Sequence, residues 1–371
     1  MKPNFAIHWR STYRLRPKAR LMLKYINARV AVFRLLLVLA SVILALSTTG
    51  CGLFGTHKKV QIPPLLPLKN AEKDQLIQEI NRLAAVKSIH GKVDIQFEDT
   101  SFASFGLAEK YRQVDGNLTL QRPGNIYLTL SFTIVEIAQM ASDGEHFAVA
   151  VLQGDEKYKR FVKGTNNAEY PKIDATIDPK AKNKNQEKGE KATVSALSNL
   201  RPQHLTDAFM IRAIDLNSGL IYSKSEFFQE EADTRLRAKS GARVMRGYYL
   251  LEEFSAPKDG EVQVLRRFWF DRVDKVHLAR LQTFDLKGEI TTDVSYFNEK
   301  PIGSENTVTM ASRIELTRPK DQYKISLSYQ DPATVELNKE YRPAAFVLQN
   351  KWGLTEVDLD AEKSKKLTAN Q

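Results

Sequence analysis

Two periods divide the chain. From Asn70 onward, Leu76, Ile77, Ile80, Leu83 and Ala84 recur at a spacing of three to four. This spacing predicts a helix over 70–85 with Asn70 as its N-cap and an end at Lys87 and Ser88. The period then becomes two. Ile89, Val93, Ile95 and Phe97 alternate with His90, Lys92, Asp94 and Gln96, with Gly91 on the apolar side. Val114, Leu118 and Leu120 alternate with Asp115, Asn117, Thr119 and Gln121; beyond a turn at Arg122-Pro123-Gly124-Asn125, Ile126, Leu128, Leu130 and Phe132 oppose Tyr127, Thr129 and Ser131. One apolar and one wet face is the signature of antiparallel strands. Asp143-Gly144 predicts a further hairpin, 137–141 against 147–152.

The segment 165–191 holds six lysines, five acids and little that is apolar, and it predicts a mobile loop. A second helix is expected over 202–211, with Pro202 at its first position and Leu205, Ala208, Phe209 and Arg212 on one face. For 229–243 the pattern leaves helix and loop open. Strands are then expected at 247–254, 262–270, 276–284, 289–297, 312–318 and 322–329. Leu120-Gln121-Arg122-Pro123-Gly124-Asn125-Ile126-Tyr127 and Leu316-Thr317-Arg318-Pro319-Lys320-Asp321-Gln322-Tyr323 share the pattern L-x-R-P-x-[N/D]-x-Y, which predicts two hairpins with the same turn chemistry. About ten strands and two helices make one sheet-dominated body over 70–359, followed by a charged tail at 360–371. A sheet that large must curl, close or be covered. Periodicity leaves two interiors open: one filled by its own side chains, or one with room for a lipid chain.

Catalytic signatures are missing. The six histidines, His8, His57, His90, His146, His204 and His277, are not clustered as metal ligands usually are. The chain has no G-x-S-x-G elbow, P-loop or G-x-G-x-x-G. Glu230-Glu231 and Glu252-Glu253 are neighbours, and neighbours on a strand point to opposite faces. No metal or cofactor is expected, and an enzyme whose acid pairs are assembled only by the fold stays open at this point.

The net charge of +11 invites a nucleic-acid reading. Nine of the basic residues, Lys2 to Arg34, precede position 51, and no acid occurs before Glu72. Without those nine, 46 basic residues face 44 acids, so the remainder is close to neutral and a nucleic-acid partner loses its support. A basic stretch followed by the uncharged run 35–46 (LLLVLASVILAL) and small residues is the layout of an export signal at 1–50, starting at Met1 or Met22. An uncharged run of 12 residues is short of the roughly 20 that span a bilayer. A signal-anchor helix over 35–54 is the alternative. Cys51 is the only cysteine. Pro63, Pro64 and Pro67 follow it in a stretch that predicts a semi-extended tether over 51–69.

Thr48-Thr49-Gly50-Cys51 resembles the lipobox of bacterial lipoproteins. The resemblance implies a diacylglyceryl group on the Cys51 sulfur, cleavage before Cys51, and an anchor in the bacterial envelope. A free or buried thiol is the alternative.

The body resembles the periplasmic lipoprotein carriers and outer-membrane lipoprotein receptors, LolA and LolB, with related LppX-like lipoproteins. The matching features are the leading helix, Ser88-Ile89-His90-Gly91-Lys92, the hairpin LTLQRPGNIYLTL, Ser142-Asp143-Gly144-Glu145, Phe270-Asp271-Arg272, Tyr296 and the hairpin IELTRPKDQYKISL. The resemblance implies a mainly β (α+β) fold, a strongly curved antiparallel half-barrel with helices over its concave face. It also implies a cavity for acyl chains of lipids or lipoproteins, lined by Val93, Ile95, Phe97, Leu118, Leu120, Ile126, Leu128, Leu130, Phe132, Leu205 and Phe209. By the same resemblance, the apolar group Phe132-Thr133-Ile134-Val135 matches the loop that touches the membrane in the receptor, making Ile134 and Val135 candidate membrane contacts. The implied function is binding or transfer at the outer membrane without catalysis; an envelope sensor or structural lipoprotein on the same fold is the alternative.

Overall fold

The computed structural model describes residues 62–100, 109–110, 113–154, 156, 159–166, 168–170, 200–305 and 308–369. Helix α1 is Lys73–Ala84. Strands β1 (Ser88–Asp99), β2 (Glu109–Lys110), β3 (Val114–Gln121), β4 (Asn125–Phe132), β5 (Val135–Asp143), β6 (His146–Val151) and β7 (Arg160–Thr165) come next. Helix α2 is Pro202–Phe209. Then come β8 (Ile221–Ala232), β9 (Arg243–Phe254), β10 (Val264–Asp271), β11 (His277–Phe284), β12 (Ile290–Ile302), β13 (Val308–Arg318), β14 (Tyr323–Tyr329), β15 (Glu336–Leu337) and β16 (Thr355–Asp358), and helix α3 (Leu359–Ala369).

Among the described residues, all 16 strands belong to one sheet, in the order β16-β7-β6-β5-β4-β3-β1-β14-β13-β12-β11-β10-β9-β8, with β2 and β15 paired to β1 off this path. Their pairings are antiparallel except that of β16 with β7. Strand β1 sits at the centre: the chain meanders outward from it to β7, crosses through α2 to the far edge at β8, and meanders back to β14. Helix α2 packs on β4 and β5 on one side and on β13 on the other. In a flat sheet β5 and β13 would stand roughly 24 Å apart, five strand spacings, against about 10 Å for the width of a helix. The sheet is therefore strongly curved around α2, and the expected half-barrel fold class is the observed one.

The alternation read from the sequence sets which face is inside. Ile89, Val93, Leu118, Leu120 and Ile126 are fully buried, and one continuous core joins them to Leu76, Ile77 and Ile80 of α1 and to Leu205, Ala208 and Phe209 of α2. Gly91 faces that core because a Cβ there would lie 3.0 Å from Val335 Cγ2. After β14 the chain crosses back: β15 joins β1, Phe346 is buried, β16 extends the sheet beyond β7, and α3 packs on β7.

Several elements differ from expectation. The N-cap of α1 is Glu72, in a capping box with Gln75, because the Asn70 side chain is engaged elsewhere, accepting from Arg272 (2.8 Å) and Tyr249 (3.2 Å). Helix α2 stops at Phe209, and Arg212, expected on its buried face, is exposed. The segment 229–243 is neither helix nor plain loop: its first residues finish β8, an edge strand whose polar sequence has no apolar alternation. Strands β7 and β16 were not legible, and the tail expected beyond 360 is helical to Ala369. The expected signal and Cys51 lie outside the described residues, as does most of 165–191. The last part of the expected tether is described and lies on the body: Leu65 donates to the Met245 carbonyl (2.9 Å), Lys69 to that of Arg272 (2.8 Å), and the Leu65 side chain is buried. The two hairpins with the shared pattern do not share their turns: Gln121 pairs with Asn125 around three residues, whereas Arg318 pairs with Tyr323 around four.

Candidate functional site: the covered concave face

The residues expected to line a cavity come together on the concave face. Val93, Ile95, Leu118, Leu120, Ile126, Leu128, Leu130, Leu205 and Phe209 are each at most 5 % exposed. Phe97 and Phe132 are only partly buried, as is Val114 beside them. The register explains this difference. Phe97 is two residues from the end of β1, Val114 begins β3 and Phe132 ends β4, so the three stand at one rim while the others lie deeper. Against the deep part α2 places Leu205, Ala208 and Phe209, so the concave face is in contact with protein side chains along α2.

What holds α2 there is mostly polar. At its C-terminal end the Arg122 guanidinium donates to the carbonyls of Met210 (3.1 Å) and Ile211 (2.9 Å) and, through Nε, to that of Val86 (2.8 Å). The last carbonyls of a helix lack intrahelical partners, and a cation there also meets the negative end of the helix dipole. Burial lowers the Arg122 pKa from its ordinary value. In the last turn the Ala208 carbonyl accepts from Tyr296 Oη of β12 (2.9 Å). Near the N-terminal end His204 Nδ1 meets Tyr323 Oη of β14. Burial, then the charges of Arg318 and Arg201, push the His204 pKa well below its ordinary value. A neutral imidazole and the Tyr323 phenol therefore share this bond, with the imidazole tautomer setting which of them donates. The segment after α2 is tied to α1 by Asn81, whose amide donates to the Ile214 carbonyl (3.0 Å) and accepts from the Ile214 N–H (2.7 Å).

Two groups make the interior less uniform than the sequence predicts. Asp207 of α2 is exposed, and desolvation by its surroundings raises its carboxyl pKa. Tyr329 Oη is buried and without a hydrogen-bond partner, with its ring edge-on to Phe209 at 6.3 Å.

At the rim with Phe97 and Phe132, the β4–β5 hairpin turns through Thr133, at φ 58°, and Ile134. Ile134 is 94 % exposed and Val135 54 %.

Sequence reasoning missed Arg122, His204, Tyr296 and Tyr323 as parts of the site. Arg122 and Tyr323 stood in the shared hairpin pattern, and His204 lies one residue before Leu205, but only the register shows which face each one takes.

No protein-family model matches the sequence, and no curated relative matches it. Solved structures similar to the chain include a DUF1329 family protein from Desulfovibrio piger, with 12 % identity over 74 % of this chain and 95 % of that one at a TM-score of 0.35. They also include a LolA superfamily protein from Nitrosomonas europaea (10 %, 75 % and 99 %, TM-score 0.35). A third is an outer membrane lipoprotein-sorting protein domain from Vibrio parahaemolyticus (8 %, 73 % and 94 %, TM-score 0.35).

Proposed function

We propose that this chain is an envelope lipoprotein, anchored through Cys51 at the outer membrane and facing the periplasm, that receives acyl chains of a lipid or lipoprotein on its concave face and releases them to the membrane. The observation that carries the reading is the cover: a continuous apolar concave face beneath a helix of eight residues that is fastened by a few polar contacts.

The magnitudes favour a cover that can lift. Exposing Leu205 and Phe209 costs about 2–3 kcal/mol each, and each hydrogen bond lost from a charged group about 1.5–3 kcal/mol. Burying about a dozen methylenes contributes roughly 10 kcal/mol, at about 0.8 kcal/mol each. A single chain therefore offsets most of the cost of displacing α2, while in its absence the helix stays seated. Near balance is what transfer requires, since a chain held much more strongly than the membrane holds it would not leave. Phe97, Val114 and Phe132 supply the entry, and Ile134 and Val135 beside them the contact with the bilayer.

Native mass spectrometry of the purified protein tests the reading. Co-purifying lipid, or uptake of an added fatty acid, is expected; a chain that carries none and takes up none contradicts it.

A further inference from the structure

The outer face of the second half of the sheet carries a row of side chains that acyl-chain binding leaves unused. Phe227, Tyr248, Trp269, Arg280, Phe297 and Arg313 come from β8 to β13, one from each strand. Phe227 is opposite Tyr248, Trp269 opposite Arg280, and Phe297 opposite Arg313. The Trp269 ring has Phe227 edge-on at 5.2 Å, Tyr248 at 5.5 Å and the Arg280 guanidinium at 5.2 Å; Arg313 lies 5.1 Å from the Phe297 ring. Tyr248 and Trp269 form a small cluster of their own, apart from the main core. Phe227 and Phe297 are each 39 % exposed.

Over this row lies a recess of about 360 Å³ whose walls include Tyr248, Trp269, Arg280, Phe297, Asn298 and Gln229. A second recess of about 700 Å³, beside Leu65 and Leu66, adjoins it: Arg246, Asp271 and His277 line both. The result is a long groove of the size that small ligands occupy.

Its arginines and its lysine are already paired. Arg246 bridges Glu231 (3.2 Å) and Asp271 (2.5 Å), Arg280 holds Asp293, Arg235 holds Asp233 (2.7 Å), and Lys275 holds Glu299. A polyanion would find no cation to neutralise it, and a hydrocarbon chain would strip these ion pairs of water. A proline-rich peptide could use the rings, but it would set carbonyl acceptors against the carboxylates of Glu231 and Asp271. What fits ring edges, paired guanidinium and carboxylate groups, and amides together is a neutral ring with C–H faces and hydroxyls that both donate and accept. We propose that this groove binds a linear glycan of neutral sugar units, with Phe297 against a sugar face and Arg280, Asn298 and Gln229 on the hydroxyls.

The test titrates chitotetraose, cellotetraose and maltotetraose into the full chain, followed by tryptophan fluorescence and ligand-observed NMR. Saturable binding of at least one tetramer is expected, weakened about tenfold or more by Phe297→Ala and by Arg280→Gln. Phe297 is on the surface, so its variant decides alone should Arg280→Gln fail to fold. No saturable binding by any tetramer, binding unchanged in Phe297→Ala, or capture of a proline-repeat decamer with no response to sugar would each overturn the proposal.

Discussion

The turns at 122–124 and 319–322 have the same eight-residue pattern, yet they serve α2 from opposite rims and by different means. The first closes on Gln121 and Asn125, the second on Arg318 and Tyr323. One extra residue in the loop reverses the facing of the strand after it, because side chains alternate along a strand. Tyr127 accordingly points outward and donates to Gln139 (2.7 Å), whereas Tyr323 points inward and meets His204. Arg122 lies in its loop and reaches across to three backbone carbonyls, while Arg318 lies in its strand and holds Asp321 (2.7 Å) and Thr292 (2.6 Å). A matching pattern thus conveys that a turn exists without conveying what its side chains do.

The difference can be broken at its strongest point first. Arg122→Ala removes three hydrogen bonds from a charged group and frees the end of α2; even at the low end of about 1.5 kcal/mol per bond, a loss of roughly 4–5 kcal/mol in urea unfolding is expected, with faster amide exchange in 202–211. Arg122→Lys should recover only part of it, since a point charge cannot replace the fork.

Protonation tests the other rim. The folded-state pKa of His204 is depressed, so below about pH 6.5 the unfolded chain binds a proton that the folded chain refuses. Stability is complete above the unfolded value and falls as the pH drops beneath it, by about 1.4 kcal/mol at pH 5.5. In His204→Gln that slope should vanish. Asp207, with a raised folded pKa, acts with the opposite sign at lower pH, which confines the His204 effect to the window between about pH 6.5 and the carboxylate range.

Smaller effects sharpen the same contrast. Tyr323→Phe removes an interior hydrogen bond and should cost about 1–1.5 kcal/mol. Arg318→Ala loses a hydrogen bond to Thr292 and an ion pair that is exposed on its Asp321 side, and should cost about 1 kcal/mol. Tyr127→Phe, on the outer face, should cost about 0.5 kcal/mol. Urea midpoints of the three variants, measured together, check the order; equal losses at Tyr127 and Tyr323 would contradict the assignment of faces.

Much of the fold could be read from period alone. The strands β1, β3 to β6 and β9 to β14 are amphipathic or strongly apolar, and burial on one face writes itself into the sequence. The edge strand β8 left no such mark because neither of its faces is deeply buried. Strands β7 and β16 are short and were hidden beside charged segments. The deep lining, Val93 to Leu130, was legible for the same reason as the core, and that is its ambiguity: a filled core and a covered binding face share one pattern. The polar groups on α2 and around it, Arg122, His204, Tyr296 and Tyr323, left no such mark, because their convergence depends on long-range pairing across β1 and β14. The exposed Ile134 is the opposite case: an apolar residue read as a membrane contact by resemblance, and placed at a hairpin tip by a two-residue turn.

Central to the account is that the concave face is a binding surface under a liftable helix. Titration of a fluorescent fatty acid into the protein and into Arg122→Ala measures this directly. Saturable uptake by the protein, and faster uptake by the variant whose helix is unfastened, is the expected result. No uptake by either would mean that α2 is permanent core and that the concave face binds nothing but the protein itself.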